Sequence, residues 1–256
     1  MEKAIVIGGF YYQNCFDGLT MYIEKGKMTA VSGPNNCGKT TLIRILSREI
    51  ITESDILINH FPINIYPIEE YTKMVKCVIP LEKIPKEETI EEELYTESND
   101  SKEVENIIKG LKIKRIANKL IKELDPKEFV YYQIASALVT NPKILLLDSL
   151  DTILSEKEVI EVLEYLKERQ EEIDLTVVYT TINLNTALIS DVLFVIGDRK
   201  VALKGKPLEV LKYDNIINKI GLNIPFMVDL SVKLKDYDLV NDIVLDQERM
   251  LDELWK

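Results

Sequence analysis

The feature that most restricts this chain is "GPNNCGKTT", Gly33 to Thr41, set between the β-branched run "MTAV" and the amphipathic "TTLIRILSREI". Two glycines five positions apart, followed by Lys39 and Thr40, form the pattern of a phosphate-binding loop. At an average glycine usage of about 7%, a chain of this length would match it by chance roughly once in a hundred. The strand–loop–helix context is what the chemistry needs. Consecutive backbone N–H groups and a helix N-terminus face the phosphates. Lys39 offers a point charge to the β- and γ-phosphates, and Thr40 a hydroxyl to Mg²⁺. The predicted nucleotide-binding residues of the loop are Gly33, Asn35, Asn36, Cys37, Gly38, Lys39, Thr40 and Thr41. Asn36 suits a left-handed backbone, which Asn tolerates better than most residues. Cys37 reads as a small filler, not a redox centre.

Such a loop needs a sheet to carry it. Short apolar segments alternate with helical ones: "AIVIG", "LTMYI", "MTAVSG", "MVKCVI", "KILLLD", "LTVVYT" and "DVLFVIG" read as strands, and helices start at Lys39, Pro126 and Ser155. In "SEKE", Ser155 and Glu158 make a capping box. Alternation of this kind predicts a parallel, doubly wound sheet. The early strands, on either side of the "EKGK" turn, are expected to pair as an antiparallel hairpin. "KILLLD" ends abruptly in Asp148, a buried strand delivering an acid to its carboxyl end. Asp148 is therefore the candidate second ligand of Mg²⁺, through water. Residues 81 to 125 are acidic and rich in helix formers, and read as a solvated helical insertion.

Composition excludes several functions. The formal net charge of −11 argues against non-specific nucleic-acid binding and against direct attraction to an anionic membrane. No apolar run approaches a membrane span, and "MEKAIVIGGF" is too short and too acidic-flanked for a signal peptide. Cys15, Cys37 and Cys77 are odd in number and widely spaced, which suggests a reducing compartment without disulfides or zinc. His60 is the only histidine and lies in a loop-like context, so Ser-His and Cys-His mechanisms have almost no material.

The two motifs and the acidic helical insertion between them resemble the ATP-binding subunits of ABC transporters. "FDGLTMYIEKGKMTAVSGPNNCGKTTLIRIL" resembles the N-terminal half of that family, and Tyr12, with Tyr11 as runner-up, falls where the family stacks an aromatic on adenine. "ETIEEEL" resembles the start of the helical region, "ASALVTNPKILLLD" the approach to the Walker B acid, and "VLFVIGDRKVALKGKPLEVL" the final strands. "IGLNIPFMVDLSVKLK" and "DELWK" resemble one subgroup, the energy-coupling factor ATPases of vitamin and cobalt or nickel uptake. The resemblance implies a P-loop NTPase of α/β class: a RecA-like core, an N-terminal antiparallel β subdomain, a helical subdomain and a small C-terminal helical extension. It divides the chain into an ATP-binding domain over 1–213, with the helical subdomain at about 81–141, and the extension over 214–256. It also implies ATP and Mg²⁺ as ligands, a second ABC ATPase subunit as partner (identical or different), and an integral-membrane coupling subunit. The chain would be cytoplasmic, peripheral on the cytoplasmic face of the membrane, and would bind no nucleic acid.

The departures from the family pattern are systematic. Ser149 stands where the family has the glutamate that polarises water, and a hydroxyl cannot replace that base. Ile182 occupies the switch histidine's place and has no polar atom beyond the backbone. Pro80 stands where the γ-phosphate-sensing glutamine is expected. "LDPKE", Leu124 to Glu128, aligns with the signature loop, and no Ser-Gly or Gly-Gly pair occurs between residues 80 and 148. Asp125 and Pro126 start a helix well, yet the Asp125 carboxylate would repel a partner's γ-phosphate, with Lys127 a partial offset. No catalytic residue is assigned. The expected function is ATP–Mg²⁺ binding with weak or absent hydrolysis. A non-transport ATP sensor or scaffold of the same fold is the alternative. A P-loop kinase or GTPase lacks support, because no guanine-recognition tetrad such as Asn-Lys-x-Asp appears.

Overall fold

The computed structural model describes residues 2–53, 56–80, 86–98 and 100–255. The chain begins with β1 (Lys3–Tyr12), β2 (Phe16–Glu24), β3 (Met28–Ser32) and α1 (Lys39–Leu46). Next come β4 (Ile56–Ile58), β5 (Phe61–Pro62), α2 (Ile68–Met74) and β6 (Val75–Val78). Three helices follow, α3 (Ile90–Glu97), α4 (Ser101–Gly110) and α5 (Pro126–Val139), then β7 (Ile144–Leu147) and α6 (Glu156–Ile173). β8 (Thr176–Thr181), α7 (Leu184–Ala187), β9 (Val192–Gly197) and β10 (Lys200–Gly205) complete the sheets. α8 (Pro207–Val210), α9 (Asp214–Ile220), α10 (Phe226–Asp236) and α11 (Gln247–Leu254) end the chain.

Two sheets result among the described residues. The larger has the order β10-β9-β3-β8-β7-β6, parallel except for β10. The smaller has the order β2-β1-β4-β5 and is antiparallel. The parallel strands read as unbroken apolar runs because both faces are covered. Along β7, Leu145 and Leu147 enter a core shared with α5 and α6, while Ile144 and Leu146 enter a second core shared with α1 and the antiparallel sheet.

The hairpin expected at "EKGK" is not there. The turn of the antiparallel hairpin lies one strand earlier, with Tyr12 opposite Phe16, and Glu24–Lys27 instead carries the chain from one sheet to the other. The cause is burial. All five residues of β3 are buried, which suits the interior of a parallel sheet between β8 and β9. β2 alternates buried with exposed from Leu19 to Ile23, which suits a sheet with one wet face.

The helical insertion is solvated on one side only. Ile90 and Leu94 of α3, and Val104, Ile107 and Ile108 of α4, join the core of α5 and α6. The stretch 81–85 lies outside the described residues. At the chain's end, Ile217, Leu222 and Val228 pack on that same core. Among the described residues, no helix is long and apolar enough to cross a membrane.

Helix α6 begins as its capping box predicts: the Ser155 side chain accepts from Glu158 N–H, and Glu158 reaches back to Ser155 N–H. Glu158 also accepts from Lys127 Nζ at 2.9 Å. The Ser155 hydroxyl, then the Lys127 ammonium, hold the Glu158 carboxyl at about 2. A folded-state value below the unfolded one gives stability that is complete above about pH 4.5 and lost as pH falls toward about 2. Denaturant titrations between about pH 6 and 2 are expected to show a shallower acid loss for Glu158→Gln than for the wild type.

Candidate functional site

The register of the parallel sheet brings the motif residues to one edge. Ser32 at the end of β3 lies beside Thr181 of β8, and Leu147 of β7 lies between Tyr179 of β8 and Val78 of β6. Gly33, Asp148, Ile182 and Pro80 therefore all leave the sheet from its carboxyl edge, where open α/β sheets bind ligands.

The loop after β3 is built by its glycines. A Cβ on Gly33 would come 2.5 Å from Cys37 Sγ and 2.8 Å from Ile196 O. Gly38 has φ 101°, and a Cβ there would come 2.8 Å from the Phe16 ring. Asn36 takes the left-handed backbone expected of it, φ 62°. Lys39 is buried, and its Nζ donates to Gly33 O at 2.7 Å and Pro34 O at 2.9 Å. The ammonium is thus tied back to the start of its own loop. The first intrahelical bond of α1 is Leu42 N–H to Gly38 O, 2.8 Å. The earlier amides, at Lys39, Thr40 and Thr41, precede that first bond, as amides of a helix's first turn must.

A cleft of about 550 Å³ opens in front of this loop. Asn35, Asn36, Gly38, Lys39, Thr40 and Thr41 line one side, and Pro80, Asp148 and Ser149 the other. Gly33 and Cys37, two of the expected nucleotide-binding residues, do not line it, and Cys37 packs against the second core. Cys15, Arg44, Ile79 and Thr152 also line the cleft, and no motif position marks them. Tyr12 is half-buried, stacks on Phe10 at a 6.0 Å ring separation, and packs in the same core as Cys15 and Cys37 without lining the cleft. Tyr11, on the other face of β1, is exposed.

Asp148 is buried, 4% exposed, and its surroundings are specific. Thr180 Oγ1 donates to Asp148 Oδ1 at 2.7 Å. Ser149 has a left-handed backbone, φ 46° and ψ 54°. Its N–H donates to Thr180 Oγ1 at 2.9 Å, and its hydroxyl lies 3.1 Å from Thr180 Oγ1 and 3.3 Å from Asp148 Oδ1. Thr180 carries no sequence signal of its own, since its partner comes from a neighbouring strand.

The positions that depart from the family pattern are equally defined. Ile182 is exposed, and its N–H donates to Asp151 Oδ2 at 3.1 Å beside Thr181 Oγ1 at 2.8 Å. Asn183 and Asn185 bind Glu156 Oε2 at 2.6 and 3.1 Å. The turn after β8 is therefore tied to the segment after β7 without an imidazole. Asp125 caps α5, accepting from Glu128 N–H at 2.9 Å. Lys127, expected to offset the Asp125 charge, is instead ion-paired with Glu158.

The residues fit a nucleoside triphosphate with Mg²⁺. The glycine cradle, Lys39 and the start of α1 present positive groups and leave no room for side chains. Thr40 and Asp148 offer oxygen, and Mg²⁺ takes one or two protein oxygens and completes its shell with water and phosphate.

Comparison with known proteins agrees with this geometry. The sequence profile of a family described as "ABC transporter" matches residues 16–151, just over half of the chain. The energy-coupling factor transporter ATP-binding protein EcfA2 of Clostridium perfringens is 28% identical over 257 residues, covering 93% of this chain and 90% of its own. EcfA1 of Mesomycoplasma hyopneumoniae is 28% identical over 270 residues, covering 96% and 95%. The solved structure of cbiO1 from Clostridium perfringens, part of the ABC transporter complex cbiONQ, superposes with a TM-score of 0.73 at 24% identity, over 90% of this chain and 99% of that one. The fold is that of the P-loop NTPases.

Proposed function

The chain belongs to the ABC transporter family, and from that premise we propose that it is the ATP-binding subunit of an energy-coupling factor importer, binding ATP with Mg²⁺ and hydrolysing it weakly or not at all. One observation carries this: Lys39, Thr40 and Asp148 line a single cleft, while Ser149, beside Asp148, is a hydroxyl already engaged with Thr180. The phosphate-holding half of the site is built; the water-activating half has no carboxylate or imidazole at the matching positions.

The relatives' names and the lengths they match support the subgroup. In this reading the adenine stacks on Tyr12. Residues 1–213 form the ATP-binding domain, with 81–141 as its helical part, and 214–256 the extension. The chain pairs with a second ABC ATPase subunit, and the pair sits on an integral-membrane coupling subunit at the cytoplasmic face.

Expression of the tagged chain with its neighbouring genes, followed by detergent extraction, tests the transporter assignment. A polytopic membrane protein and a second ATPase are expected to co-purify in stoichiometric amounts. A complex lacking any membrane subunit would move the assignment to the sensor or scaffold reading.

A further inference from the structure

We propose that Ser149 and Thr180 are positioning residues for Asp148, a two-hydroxyl bracket that makes nucleotide binding dependent on Mg²⁺. The inference rests on the reading of Asp148 as the Mg²⁺-linked acid, and it gives the serine at the lost glutamate's position a task of its own.

The bracket acts on one carboxylate oxygen. Thr180 Oγ1 donates to Oδ1 at 2.7 Å, and the Ser149 hydroxyl approaches the same atom at 3.3 Å. The left-handed backbone of Ser149 folds that hydroxyl back onto Asp148. Thr180 in turn accepts from Ser149 N–H at 2.9 Å, and its hydroxyl donates to Oδ1. Either hydroxyl can donate across the 3.1 Å between Ser149 and Thr180, and both approach Oδ1. Among the described residues Oδ2 accepts no hydrogen bond, and Asp148 lines the cleft with Thr40.

The consequence is directional. The last torsion of an aspartate is broad and roughly two-fold. Pinning Oδ1 selects one setting and fixes where Oδ2 points. Mg²⁺ demands near-octahedral geometry and holds its waters tightly, so a misdirected carboxylate weakens metal-dependent binding. Nucleotide without metal does not use that carboxylate and is unaffected. Partners that orient a metal-linked group typically contribute 10- to 100-fold in metal affinity, a general range of about that size. Hydroxyls that merely satisfied a buried carboxylate would change thermal stability and leave the metal dependence intact.

The test is the ratio of affinities for a non-hydrolysable ATP analogue with Mg²⁺ and with EDTA, measured on the full chain. Thr180→Val keeps the shape and removes the donor. It is expected to reduce the Mg²⁺-dependent gain about tenfold or more with affinity in EDTA unchanged, and Thr180→Ser is expected to keep the wild-type gain. Thr180→Val combined with Ser149→Ala should approach Asp148→Asn. A folded Thr180→Val with the full wild-type gain, alongside an Asp148→Asn that has lost it, overturns the bracket alone. An Asp148→Asn that keeps the gain overturns the reading of Asp148 and the bracket with it. If Thr180→Val does not fold, Ser149→Ala decides, since it removes the half-buried member; an unchanged gain there also overturns the proposal.

Discussion

Lys39→Ala is expected to lower ATP affinity by about 10²- to 10³-fold, the largest loss from any single residue of the loop. Lys39 donates to Gly33 O and Pro34 O at 2.7 and 2.9 Å and is 8% exposed. Its position is therefore fixed by the loop before any ligand arrives, and little side-chain entropy remains to be lost on binding. Hydrogen bonds to a charged group contribute about 1.5–3 kcal/mol each. One or two such bonds to phosphate, at about 1.4 kcal/mol per factor of ten, span about 10- to 10⁴-fold, and the expected loss is the middle of that span. Two loop carbonyls also lose their donor, so the loop itself loosens. Arginine does not substitute, because a forked guanidinium is larger and differently directed than a point-charge ammonium. Equilibrium titration with a fluorescent ATP analogue measures the loss, and a melting curve confirms that the variant is folded. A folded Lys39→Ala that still binds ATP within about threefold of wild type, under 1 kcal/mol by the same conversion, would exclude this loop as the phosphate site.

What the sequence made legible follows from how local each signal is. The loop could be read because its chemistry demands particular residues at fixed spacing: two glycines that cannot carry a Cβ, a lysine and a hydroxyl. β7 could be read because burial on both faces leaves no polar residue until Asp148. The turn at "EKGK" misleads because a turn signal does not say which strands pair; β3 finds a partner 149 residues later, Met28 beside Val177. Thr180 was invisible for the same reason, since only the β7–β8 register places it against Asp148. Sequence proximity points Lys127 at its neighbour Asp125, yet Glu158, 31 positions on, holds it. Charge along α4 suggested a solvated helix, and its buried stripe, Val104, Ile107 and Ile108, shows how helical spacing divides one segment between water and core.

Hydrolysis of bound ATP is expected to be slower by about 10²- to 10⁴-fold than in a family member that keeps the glutamate, which is the usual contribution of a general base. Three features of the site favour this expectation. Ser149 is a hydroxyl already bonded within the Asp148–Thr180 network, and the only histidine, His60, lies between β4 and β5 of the other sheet. Ile182 carries only an apolar side chain, and its N–H is taken by Asp151. Pro80 lines the cleft without a side-chain donor or acceptor. Single-turnover assays at saturating Mg²⁺ and ATP are expected to give the same low rate for wild type and Ser149→Ala. Ser149→Glu alone is expected to recover little. The backbone there is left-handed, φ 46°, a conformation that costs a non-glycine residue of order 1 kcal/mol and aims the side chain toward Asp148, where a second carboxylate meets like charge. A combined Ser149→Glu and Ile182→His variant supplies a base and the polar partner that the turn after β8 lacks, and it should exceed either change alone. A brisk wild-type rate, abolished by Lys39→Ala and untouched by Ser149→Ala, would mean that another group activates the water. Asp151, held by Thr181 and Ile182 N–H, would then be the first to mutate, because after the metal-linked Asp148 it is the carboxylate nearest in sequence to position 149.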